Sequence, residues 1–137
     1  MGASEMFGFF RKKSRDFTQP HKEWPWSLTV NGMPSGEFVW KNVLRELSKL
    51  TPDPDHFLIL NQQNPREPGE YWFLQAARSS VGEQAGWYIV ECGFSSPEGP
   101  VLLHLDTPDL ETAAAMFKRA FQDGELEVTQ FQQEGLR

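Results

Sequence analysis

One cysteine, Cys92, stands among 137 residues, so the chain cannot close a disulfide on itself and offers neither a secreted disulfide scaffold nor a cysteine-rich zinc site. A reducing, cytoplasmic setting is the simplest expectation. No run approaches the roughly 20 apolar residues that cross a bilayer, and the N-terminus lacks the long apolar core and cleavage site of a secretory signal. Met1-Gly2-Ala3-Ser4-Glu5-Met6 opens like a myristoylation signal but carries Met6 where serine or threonine is usual. Glycine-rich phosphate loops are missing: there is neither GxGxxG nor GxxxxGK[ST], and no serine or cysteine sits in a nucleophile elbow. The three histidines, His21, His56 and His104, have no second His or Cys at ligand spacing, so no metal and no other cofactor is expected.

What is present is apolar bulk and an uneven charge. Hydrophobic residues make up only 39%, but five Trp and eleven Phe supply enough buried area for one core without disulfides. Residues 1–23 hold five basic groups (Arg11, Lys12, Lys13, Arg15, Lys22) against three acids (Glu5, Asp16, Glu23), a net of +2. The rest holds eight basic and sixteen acidic groups, a net of −8. An acidic body repels phosphate and steers toward basic proteins, so nucleic acid is not an expected partner. The leader, with Phe7, Phe9 and Phe10 among its basic residues, reads as a mobile tail able at most to touch an anionic membrane surface weakly.

The pattern predicts a single α+β domain over residues 24–131, with a polar tail at 132–137. Trp26, Leu28 and Val30 alternate with polar residues as a short edge strand ended by Asn31-Gly32 and Pro34. Ser35 is placed to cap a helix whose apolar residues are Trp40, Val43, Leu44, Leu47 and Leu50, and Pro52 ends it. Strands are expected at 57–60, 71–78, 87–94, 101–106 and 126–131, with a polar loop at 61–69. Between the last two, Thr107 as cap, Pro108 in the first turn and Asp109 and Glu111 near the positive end start a second helix. Leu110, Ala113, Ala114, Phe117 and Phe121 form its stripe, and Asp123-Gly124 ends it. The expected fold is an antiparallel meander of about four to six strands with two amphipathic helices on one face. An exposed edge strand leaves homodimerisation open.

Alternation splits each strand into two faces. Trp72, Leu74, Ala76, Tyr88, Val90, Cys92, Phe94, Val101, Leu103 and Leu105 form an apolar set that the helices should cover, with Cys92 inert inside it. The other set mixes aromatic and polar side chains: Tyr71, Phe73, Gln75, Trp87, Ile89, Glu91, Leu102, His104 and Asp106. Pairing Gln75 with Glu91 and Glu91 with His104 keeps both hairpins consistent and draws a polar row across three strands. A carboxylate beside an imidazole could serve acid–base chemistry, but the row lacks a nucleophile and an oxyanion site. Tyr71, Phe73, Gln75, Trp87, Glu91 and His104 are therefore expected to contact a partner, with no catalytic residue among them.

The apolar run Phe57-Leu58-Ile59-Leu60, the strands beginning Tyr71-Trp72-Phe73-Leu74-Gln75 and Trp87-Tyr88-Ile89-Val90-Glu91, and the helix with Ala113-Ala114-Ala115-Met116-Phe117 resemble small bacterial immunity proteins of polymorphic toxin systems. The resemblance covers residues 57–121. It implies a cytoplasmic, non-enzymatic protein that binds and neutralises a cognate toxin, and a basic toxin would suit the acidic body. Secretion-system effector chaperones look similar in layout. The remaining alternative is a small-molecule-binding or enzymatic domain that uses the aromatic sheet face.

Overall fold

A computed structural model describes residues 16–35 and 38–133. Its chain forms one antiparallel seven-stranded sheet with two helices, an α+β arrangement with slightly more strands than the sequence pattern suggests. The elements are β1 (Trp26–Val30), β2 (Met33–Pro34), α1 (Trp40–Ser48), β3 (Phe57–Gln63), β4 (Tyr71–Arg78), β5 (Tyr88–Ser96), β6 (Gly99–Thr107), α2 (Leu110–Lys118) and β7 (Gln132–Gln133). Across the sheet they run β2-β1-β3-β4-β5-β6-β7. Chain order is thus spatial order except at β2, which folds back on β1 through Asn31 and Gly32, both at positive φ (55° and 82°), the geometry of a two-residue hairpin turn.

The apolar set closes on the helices as alternation requires. Leu58, Leu60, Trp72, Leu74, Ala76, Val90 and Cys92 are buried against Val43 and Leu47 of α1 and Ala113 and Phe117 of α2. Leu44, expected in the stripe of α1, is instead exposed, because the nine-residue helix turns Val43 and Leu47 inward and Leu44 lies one step round. Both expected caps shift. Ser35 donates its N–H to the Leu28 carbonyl and so extends the first hairpin, leaving Val39 at the start of α1. Thr107 ends β6, buried, and its hydroxyl accepts the N–H of Asp109, the residue before α2. After Lys118 the helix loosens into a π turn at residues 119–123, which ends at Gly124 in the left-handed conformation. The wider turn buries Ala120 and sets the Phe121 ring against Trp26 and Phe38, with Trp26 edge-on to Trp72.

Three segments depart from expectation for reasons of hydrogen bonding. β3 runs to Gln63, past the expected end at residue 60. Gln62 faces inward and is satisfied there: its amide accepts the His21 N–H and donates to the carbonyls of His21 and Trp24. Residues 16–23, which composition assigns to a tail, are for that reason packed on the domain. Trp72 Nε1 donates to the Thr18 carbonyl, and the Gln19 amide bonds both backbone groups of Leu126. Residues 1–15 and 134–137 of the expected tails lie outside the described residues. The expected strand at 126–131 is not one. Leu126 is taken up by Gln19, and the Glu127 carboxylate accepts both the N–H and the hydroxyl of Thr129, closing a turn that competes with a ladder. Those two bonds hold the Glu127 carboxyl below its ordinary range. Pairing resumes only at Gln132 and Gln133, against His104 and Leu103.

Candidate functional site

Because both helices sit on the inner face, the opposite face of the sheet carries no described element. Strand pairing arranges its side chains in rows. One row reads Thr29, Ile59, Gln75, Glu91, His104 and Gln132 from β1 to β7; the next reads Ser27, Asn61, Phe73, Gly93 and Leu102. On the other side of the polar row lie Phe57, Ala77, Ile89 and Asp106. Ile59, Asn61, Phe73, Gln75, Ile89, Glu91, Leu102 and His104 are only half-buried, shielded by one another rather than by a second layer. The strands place two carboxylates on this face, Glu91 and Asp106, and no lysine or arginine.

Both registers expected from alternation are present, Gln75 opposite Glu91 and Glu91 opposite His104. Their side chains pair less evenly than the row suggests. Gln75 Nε2 donates to Glu91 Oε1, while His104 Nδ1 turns along its own strand to Asp106 Oδ1 at 3.6 Å. Tyr71 and Phe73 stack with ring centroids 6.0 Å apart. The Phe73 ring then leans over β5 onto Gly93, where an added Cβ would lie 2.2 Å from Phe73 Cζ. A glycine in mid-strand is what leaves room for the ring there. Trp87 stands apart from these residues. It precedes β5, in the β4–β5 loop, where its N–H bonds the Gln84 carbonyl and its carbonyl accepts the Ser79 N–H.

Sequence reasoning missed the half of the site that comes from β1 and β3. Thr29, Ile59, Asn61, Phe73 and Gln75 line a depression of about 280 Å³ beside the Gln75–Glu91 pair. Alternation in β3 marks Ile59 as outward, but Asn61 falls in the stretch read as a loop, and strand order is not written in any one strand. A larger hollow of about 380 Å³ runs along α2, between Ala115 and Met116 and the segment at Leu126.

Thr29, the one hydroxyl in the polar row, is four strands from His104, about 19 Å at ordinary strand spacing. Cys92 points inward, and burial pushes its thiol up to about 12, far from a nucleophile's range. Among the described residues no three of His, Cys, Asp and Glu converge as metal ligands, and no helix is long and apolar enough to cross a membrane. No protein-family model matches the chain, and no curated protein or solved structure is significantly similar to it.

Proposed function

We propose that this chain is a non-catalytic protein-binding domain that docks a basic protein on the open face of its sheet, and that the partner is a cognate toxin which it neutralises. The observation that carries the reading is the face itself: aromatic and aliphatic side chains from four strands, two carboxylates, no lysine or arginine from the strands and no covering layer among the described residues. Aromatic anchors ringed by polar groups are the composition of an interface centre, and a face of one charge sign selects a partner of the other. The resemblance of residues 57–121 to immunity proteins supplies the class of partner, and the acidic total of −6 is consistent with it.

The test uses one substitution that puts a positive charge on the face without disturbing the core. Ile59→Lys puts a cation among the aromatic side chains at a half-buried position. The wild-type chain should capture one basic protein from its host, bind it again when both are purified, and protect cells that express it. The variant should keep its melting temperature and lose all three. Equal binding by the variant moves the interface elsewhere, and a captured protein that is harmless when expressed alone removes the toxin from the reading. A stable complex with a secreted effector that is not toxic would favour the chaperone alternative.

A further inference from the structure

The depression on the open face has a chemistry that specifies its occupant. Two strands supply apolar walls, Ile59 and Phe73. Its polar groups include an amide carbonyl oxygen on each of two strands. A carboxylate accepts and does not donate, so Gln75 must turn Nε2 toward Glu91, which leaves Oε1 as an acceptor for another group. Asn61 Nδ2 donates to the Ser27 hydroxyl at 3.1 Å, a bond that leaves its carbonyl oxygen as an acceptor. Thr29 adds a hydroxyl, and Glu91 stands on the adjoining strand with one carboxylate oxygen not used by Gln75.

We infer that this depression seats an arginine side chain presented by the partner protein. The methylenes lie along Ile59, and the flat guanidinium rests against the Phe73 ring, which attracts a cation through its electron-rich face. Its N–H groups spread in a plane and reach acceptors on separate strands, Asn61 Oδ1 and Gln75 Oε1, while Glu91 balances the charge. Lysine fits less well, since its donors radiate from one strongly hydrated point. The inference rests on the protein-binding reading for the owner of the arginine, but the preference of the depression is measurable with no partner present.

The full chain, labelled with ¹⁵N and ¹³C, is titrated with N-acetyl-arginine methylamide, with its lysine counterpart and with blocked citrulline, which keeps the shape of arginine and lacks the charge. Arginine should give saturable shifts in roughly the millimolar range at the Asn61 and Gln75 side-chain amides and the Ile59 methyl groups. Glu91→Gln, which can still accept from Gln75, should melt with the wild type and bind arginine about ten-fold more weakly. Citrulline or lysine binding as tightly as arginine, or arginine leaving those resonances unmoved, overturns the assignment. A partner that binds the open face while the arginine titration fails removes only this inference. An intact arginine response in a chain that captures no protein removes the docking reading and leaves the pocket.

Discussion

Cys92 and Gly93 are neighbours on β5 that face opposite ways, and each is defined by what lies over it. Cys92 is enclosed between Leu74 and Leu103 on the inner face, and loss of water raises its thiol from 9.0 to about 12. In the unfolded chain the thiol ionises first, so its contribution to stability is complete below about pH 9 and is lost as the pH rises toward 12. Over that window unfolding free energy should fall more steeply in the wild type than in Cys92→Ala, by about 1.4 kcal/mol per pH unit. Urea titrations at several alkaline pH values measure both slopes, and equal slopes would contradict a buried thiol. Gly93 carries the Phe73 ring. Gly93→Ala forces that ring off the sheet, at a cost on the order of 1–3 kcal/mol. In Phe73→Leu the same change should cost much less, so a double-mutant cycle should show strong coupling; additive losses would mean that the ring and the glycine are independent.

At the scale of elements, hydrogen bonds decide where strands end and where the chain packs. Gln62 is an inward polar residue in a strand otherwise apolar on that side, and it is tolerable only because the segment ahead of β1 brings two carbonyls and an N–H to its amide. Gln62→Leu should leave those backbone groups without that partner, lowering stability by about 2–3 kcal/mol. Hydrogen exchange should speed up first at His21 and Trp24, while Val90 and Cys92 keep their protection. Uniform acceleration across the sheet would show that the segment and the core open as one unit. The meander and the outward position of Gln75, Glu91 and His104 were legible from alternation, because burial of one face leaves each strand a single consistent register. The ends of the helices were less so: Ser35 and Thr107 are good capping residues by type, yet hairpin pairing claims both before a helix starts.

Across the whole molecule, one layer of helices against a seven-stranded sheet leaves the other surface of that sheet with no described cover. Two carboxylates with no lysine or arginine beside them set that surface against pairing with its own copy. The net charge of −6 acts at longer range than any one contact. Association with a basic partner should therefore slow several-fold between low and high salt, with a smaller change in the dissociation rate. Stopped-flow binding at a series of ionic strengths distinguishes this from an apolar interface, whose association rate would be nearly flat.

By itself the amino-acid sequence determined the local periods: strands at 71–78 and in 88–94, the stripe of α2 and the stop at Gly124 after it, the burial of Cys92 and the polar row of Gln75, Glu91 and His104. These follow from chain geometry and the separation of apolar from polar side chains, which act over a few residues. Tertiary structure alone decided that Thr29 and Ile59 join that row and Asn61 the row beside it, that Phe73 rests on Gly93, and that His104 turns to Asp106. Each of these depends on which strands become neighbours or on which hydrogen bond a side chain makes once they do. The depression beside Glu91 exists because β3 lies between β1 and β4, and no spacing within a single strand encodes that adjacency.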